Sequence, residues 1–224
     1  MVGRYFSCFR WEGTGQGGII RALFIALALV CLAACSSPKE KPIAQGATVL
    51  VLGDSITAGF GLTPEQSWAA YLQRASGWNV VNGGVSGDTT EQGMARLPGL
   101  LEQHRPAAVI LELGGNDMLR RQPSSLIAER LIALIDTVRL SGARPILMAV
   151  PSPSLTGAVF SKLYDAPFYL STAEKMSVPL IPDAISETLS KSDLRLDALH
   201  PNARGHEVLG DKVVAQLRKQ GLLK

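Results

Sequence analysis

Ser55 follows the apolar run 47–52 and the turn Gly53-Asp54. The run is rich in β-branched residues and ends at a glycine. It therefore reads as a buried strand with Ser55 at its carboxyl end, where parallel α/β sheets place their ligands. A hydroxyl there needs only a base to become a nucleophile. His200 is the best base in the chain, because imidazole titrates near neutral pH. Asp197, three residues earlier, can accept from one ring nitrogen on a local turn. That leaves the other nitrogen to face Ser55 and stabilises the imidazolium that forms. Acyl transfer also needs donors for an oxyanion. The backbone N–H of Ser55 is one, and the side-chain amide of Asn116 is another, a neutral donor where an aspartate would be an anion at pH 7. A third lies in the glycine-rich segment GGVSGD, 83–88, where a missing side chain lets a substrate approach the backbone. Gly83 and Gly84 are expected only to make turns, which is also the plain alternative for Gly87. Each donor is worth roughly 2.7–4 kcal/mol, by analogy with single-donor deletions in another hydrolase.

The neighbouring residues read more simply. Asp54 and Asp117 flank the reactive positions as loop residues that hydrogen-bond backbone. His206 is a packing or capping residue of the last helix, and His104 ends an earlier one, where the dipole favours a cation. Arg120 and Arg121 are solvated charges at the rim, with an anionic head group or phosphate as their alternative partner. Strands are expected at 47–52, 78–82, 107–113, 145–150 and 178–181, mostly as continuous apolar runs. Pro179 assigns the last to an edge, since proline cannot donate to a ladder. Helices are expected from Pro64, with Thr63 as N-cap, and at 89–104, 126–141 and 203–220. Ile127, Leu131, Leu134, Ile135 and Val138 form the stripe of a sheet-covering helix. The alternation predicts an α/β fold, a three-layer sandwich around a five-stranded parallel sheet, with the site along its C-terminal edge. Segment 151–170, with Leu155, Val159, Phe160, Leu163, Tyr164, Phe168 and Tyr169, either lines an acyl pocket or forms a helix on the sheet. With no long lid evident, the site is expected to be an open groove.

Four blocks, GDS, GGVSGD, GGND and DALHPN, resemble the SGNH (GDSL-type) hydrolase family in order and spacing over about residues 47–220. Ile56 stands where the family name has leucine. The resemblance implies a flavodoxin-like SGNH hydrolase fold, a catalytic set of Ser55, Asp197 and His200, and an oxyanion hole of Ser55, Gly87 and Asn116. Alignment with the family's glycine block is what selects Gly87. The stretches VSGDTTEQGMARLP and LELGGND look like the family's periplasmic thioesterase/lysophospholipase/arylesterase group. That likeness implies a serine esterase acting on acyl thioesters, lysophospholipids or aryl esters through an acyl-enzyme, with no metal and no cofactor. Two rivals remain. A carbohydrate O-deacetylase would want a polar, aromatic-lined groove, and Trp68 and Trp78 both read as packing residues. A non-catalytic envelope lipoprotein would be expected to lose one of Ser55, Asn116, Asp197 or His200, and all are present. The loop 118–123 departs from the group, which leaves chain-length preference open.

The N-terminus addresses location. Arg4, Arg10 and Arg21 precede an apolar run at 22–34, the length of a signal core and too short to span a bilayer comfortably. It ends Leu32-Ala33-Ala34-Cys35, which resembles the lipobox of bacterial lipoproteins. The expected organisation is a signal peptide over 1–34, a lipidated Cys35 opening a polar tether over 35–46, and a hydrolase domain over 47–224. With Ser36 after the cysteine, similarity to sorted lipoproteins implies the periplasmic face of the outer membrane. An ordinary secretory signal cleaved near Ala34 and a retained transmembrane anchor are the alternatives. Cys8 and Cys31 fall inside the signal, so the body can form no disulfide framework and no CxxC metal site. Loss of Arg4, Arg10, Arg21 and Glu12 leaves 19 basic against 18 acidic side chains and lowers the net charge from +3 to +1. So small a charge argues against nucleic acid as a partner.

Overall fold

The computed structural model describes residues 41–153 and 162–224. The expected signal and lipidation site, and Leu155, Val159 and Phe160, lie outside the described residues. The strands are β1 (Thr48–Gly53), β2 (Asn79–Gly84), β3 (Ala108–Glu112), β4 (Arg144–Met148) and β5 (Leu180–Ile181). They form one parallel sheet in the order β2-β1-β3-β4-β5. The chain leaves β1 toward one edge and returns through β3 toward the other. This opens a crevice beyond the carboxyl ends of β1 and β3. Gly53 pairs with both Gly84 and Glu112, so β1, β2 and β3 end level and their loops start at one height.

The helices are α1 (Ser55–Ala58), α2 (Trp68–Ser76), α3 (Thr90–His104), α4 (Gly115–Leu119), α5 (Ser124–Leu140), α6 (Phe168–Met176), α7 (Ala184–Leu189) and α8 (Ala203–Lys219). Helices α3, α5 and α6 pack together as one layer, and α2, α7 and α8 as the other. The sheet between them is covered on both faces, so Val49–Leu52 in β1 and Ala108–Leu111 in β3 are fully buried. The α5 stripe of Ile127, Leu131, Leu134, Ile135 and Val138 is core, and Trp68 and Trp78 pack there too. No helix among the described residues is long and apolar enough to cross a membrane.

Proline and capping explain several boundaries. In β4, Arg144 N donates to Ala107 O on the β3 side, and Leu147 N to Pro179 O on the β5 side. The nitrogen of Pro145 therefore faces β5 before that strand begins, where no donor is needed. Strand β5 is an edge strand, as Pro179 implied, and shorter than expected. Thr89 caps α3 through a capping box with Gln92, which holds Thr89 N at 3.0 Å.

Three expectations are corrected. Pro64 opens only a 3₁₀ turn, Pro64–Gln66, and α2 starts at Trp68 with Ser67 as its cap. The short helices α4 and α7 carry no long apolar stripe and were not expected. The end of the expected tether belongs to the domain, because Ile43 is buried and its N–H bonds Leu222 O at 2.8 Å.

His206 shows how α8 is fixed to α2. The ring is fully buried, and Nδ1 accepts the N–H of Trp68 at 3.2 Å, which satisfies one free donor at the start of α2. Burial, with a smaller contribution from the His200 charge, pushes its pKa down to about 4. Above pH 6.5 neither the folded nor the unfolded ring is protonated, and no penalty applies. Below it the unfolded chain takes up a proton that the folded site refuses until about pH 4, so stability is lost across that window. Urea unfolding of the wild type against His206→Gln should show the stability difference narrowing by about 3 kcal/mol as pH falls from 6.5 to 4. Parallel curves would mean that the ring is not held neutral.

Candidate active site

Three loops and one late turn meet at the carboxyl edge of the sheet. After β1, Asp54 caps α1 by accepting Ile56 N on Oδ1 at 3.0 Å. Ser55 is the first residue of α1, so its N–H has no helical partner, and it bonds nothing among the described residues. Gly53 must lack a side chain, since a Cβ would come within 2.2 Å of Thr57 Oγ1 and 2.6 Å of Glu112 Oε2. The helix closes at Gly59, which is left-handed. Phe60 then lays its ring against that of His200, with centroids 4.5 Å apart and a tilt of 31°.

Strand β2 supports α1 from the side. Asn82 Nδ2 holds Thr57 O at 2.8 Å. A Cβ on Gly84 would lie 2.2 Å from Ala58 N, so helix and strand touch backbone to backbone. Gly83 and Gly84 are thus close-approach residues at a strand end, and the expectation that they only make turns is corrected. Gly87 does occupy a turn, at φ +84, with open space around it and no acceptor for its N–H among the described residues. Arg96 of α3 anchors this turn to β1, bonding Asp88 Oδ2 at 2.5 Å and Gly53 O at 3.0 Å.

After β3, Asn116 lies on α4 with its amide nitrogen 3.0 Å from both Asp54 Oδ2 and Asp88 O. Both amide hydrogens are therefore engaged in the free site. An oxyanion there must share one of them or displace an acceptor. Asp117 points away and is fully buried, accepting Thr90 N at 2.8 Å and Thr90 Oγ1 at 2.6 Å. It fastens α4 to the start of α3 and takes no place in the cavity. Arg120 is not merely solvated, because it donates to Gly87 O at 3.0 Å across the rim.

The late turn carries Asp197 and His200. The Asp197 carboxylate accepts Leu199 N at 2.7 Å, His200 N at 2.8 Å and His200 Nδ1 at 2.8–2.9 Å. The carboxylate can only accept, so Nδ1 carries the hydrogen, and the Nε2 lone pair faces Ser55 Oγ at 2.9 Å. Asn202 braces the turn, donating to Asp193 O and Arg195 O and capping α8 through Gly205 N. Ser55, Asp197 and His200 are thus brought together, and Ser55, Gly87 and Asn116 line one cavity of about 570 Å³.

The carboxylates differ in kind. Slight burial raises the Asp197 pKa, but hydrogen bonds from the His200 ring and from the N–H groups of Leu199 and His200 outweigh it and hold it below the usual carboxylate range. Burial pushes Asp54 up to about 6, against the Ile56 N–H and the His200 charge. Burial pushes Glu112 up as well, reinforced by Asp54, and favours its neutral form. Thr57 Oγ1 donates to Glu112 Oε2 at 2.7 Å while Oε1 has no partner among the described residues. Sequence reasoning missed Glu112, Phe60 and Arg96. The first had a signal, a charge inside the apolar run Val109-Ile110-Leu111-Glu112-Leu113; the others had none.

The segment 151–170 divides between its two readings. Pro151, Ser152, Pro153 and Leu163 line the cavity, whereas Phe168 and Tyr169 begin α6. Tyr169 is buried, and its hydroxyl bonds Leu113 O at 2.7 Å. No group of three or more His, Cys, Asp or Glu among the described residues is placed to hold a metal.

Comparison with known proteins bears on this geometry. The sequence profile of the GDSL-like lipase/acylhydrolase family matches residues 51–208. The chain is 36% identical over 208 residues to an arylesterase of Vibrio mimicus, a match covering 90% of this chain and 99% of that one. It is 36% identical over 174 residues to thioesterase 1/protease 1/lysophospholipase L1 of Escherichia coli K12, covering 76% and 83%. The crystal structure of TesA superposes with a TM-score of 0.69 at 32% identity, over 77% of this chain and 99% of that one.

The two glycines predict opposite outcomes. Gly84→Ala should destabilise the fold by about 1–3 kcal/mol, because backbone rather than a flexible side chain must move. Gly87→Ala meets no atom within 4 Å and should cost only the local strain of its positive φ, about 1 kcal/mol. Denaturant midpoints measure both, and an unchanged midpoint for Gly84→Ala would contradict the contact between α1 and β2.

Proposed function

The chain belongs to the GDSL-like lipase/acylhydrolase family and is a serine esterase, and on that premise we propose that Ser55 is its nucleophile, His200 its general base and Asp197 the group that orients the base. The observation that carries this reading is His200 Nε2 at 2.9 Å from Ser55 Oγ while Nδ1 faces Asp197 at 2.8 Å. Ser55 Oγ attacks the acyl carbon as its proton passes to Nε2. The tetrahedral intermediate collapses when the bond to the leaving oxygen or sulfur breaks and that atom takes the proton from His200. Water, deprotonated by the same nitrogen, then attacks the acyl-enzyme, and the acid leaves as its bond to Ser55 Oγ breaks and that oxygen takes the proton back from His200. The free N–H groups of Ser55 and Gly87 receive the oxyanion, joined by an Asn116 hydrogen drawn from Asp54 or Asp88 O. The Phe60 ring covers one side of the imidazole and limits water there.

The substrates we propose are acyl thioesters, lysophospholipids and aryl esters. The cavity wall is largely apolar, with Phe60, Leu119, Val150, Leu163, Leu189 and Leu199, which suits an acyl chain or an aryl ring. The deacetylase alternative wants aromatic platforms for a sugar, and Trp68 and Trp78 are buried in the core. We further propose that 1–34 is removed as a signal peptide and that a lipidated Cys35 holds the domain at the periplasmic face of the outer membrane. The support is the Leu32-Ala33-Ala34-Cys35 pattern after the apolar run.

Ser55→Ala should lower kcat for p-nitrophenyl butyrate by about four to six orders of magnitude, with the thermal midpoint nearly unchanged. Full activity in that variant would place the nucleophile elsewhere. Radiolabelled palmitate fed to cells expressing the full chain should label the wild type and not the Cys35→Ser variant. A wild type that takes up no label would exclude a lipid anchor at that residue.

A further inference from the structure

The cavity beside Ser55 holds a positive charge that ester hydrolysis does not require. Arg195 lines it, on the same short turn that carries Asp197 and His200. Its backbone is fixed, because it forms an antiparallel bridge with Pro201 and its carbonyl accepts from Asn202 Nδ2 at 3.2 Å. Four arginines are half-buried among the described residues: Arg96, Arg130, Arg144 and Arg195. Arg96 holds Asp88, Arg130 holds Glu91 and Asp117, and Arg144 donates to Lys41 O. The Arg195 guanidinium has no hydrogen bond and no carboxylate within ion-pair distance among the described residues, and its Nε is shielded from solvent without an acceptor.

A shielded guanidinium N–H without an acceptor is an unfavourable arrangement, and native proteins pair such groups. Here the residue that carries it lines a cavity that a substrate enters. A planar guanidinium takes a phosphate or a carboxylate through two parallel bonds, and apolar walls strengthen the attraction. Leu163, Leu189 and Val150 supply such walls on the same cavity. We propose that Arg195 is the anion-recognition residue of this site, and that the enzyme favours esters carrying a phosphate or carboxylate in the same molecule as the scissile acyl bond. The inference rests on Ser55 and His200 being the reaction centre. It adds a charge requirement that the triad alone does not impose.

Two matched substrate pairs test it and separate the two anion sources. One compares p-nitrophenyl hexanoate with the p-nitrophenyl monoester of adipic acid, which places a carboxylate at the end of the acyl chain. The other compares the hexanoyl ester of glycerol with that of glycerol phosphate, which places the charge on the leaving alcohol. The wild type should show a KM about tenfold lower for the anionic member of at least one pair. Arg195→Met should raise that KM about tenfold with kcat held, and leave the neutral member within about threefold. Arg195→Lys, which keeps the charge but loses the fork, should fall between them, and it serves as the readout if the methionine variant does not fold. The absence of charge preference in the wild type for both pairs, or an equal loss on both members in the variants, would overturn the proposal. Neutral-ester turnover that survives Ser55→Ala would instead refute the reaction centre, so the two failures are distinguishable.

Discussion

One amide nitrogen gathers the ends of three strands. Asn116 Nδ2, carried by the segment after β3, bonds Asp54 Oδ2 after β1 and Asp88 O after β2. Loops on their own are the mobile part of a fold. These three start level on a parallel sheet and are then tied to one atom, so the groups they carry keep fixed separations. The tie extends outward, as Asp54 also caps the helix that begins with Ser55 and Arg96 joins Asp88 to Gly53 O. In a low-dielectric setting each of these bonds is strong, and each would be costly to leave unmade.

The arrangement opposes stability in order to serve the site. Asp54 and Glu112 are buried side by side, and burial pushes both toward their neutral forms. A carboxylic acid whose folded pKa is raised stabilises the fold least when the pH exceeds that value. Asp54 therefore costs most above about pH 6, where as an anion it is also the best acceptor for Asn116. The fully buried strands β1 and β3 offset this cost with apolar area. Acids placed under the proposed nucleophile are expected where local rules give way to function.

The fold was legible because its signals were long and redundant. Continuous apolar runs located all five strands to within a few residues, and the 3.6-residue stripe located α5. The short helices had no such period; α1 exists largely because a strand end and the Asp54 cap hold it, and α4 because Asp117 fastens it to α3. At the site, the blocks singled out Ser55, Gly87, Asn116, Asp197 and His200, which the structure places at one edge of the sheet. What could not be read was partnership. That Asn116 would already be engaged by Asp54, that Phe60 would lie on His200, or that Arg195 would lack a carboxylate among the described residues depends on contacts between residues far apart in the chain. Spacing along the chain does not encode such contacts.

Asp197 and His200 share one short turn, whereas Ser55 is rooted in the sheet. Acid and imidazole therefore travel as a single rigid body. Three-way alignment collapses to one coordinate, the gap between that body and the sheet edge. On the proposed roles the reaction centre depends on that gap alone, and the bonds from Asn202 to Asp193 O and Arg195 O hold it.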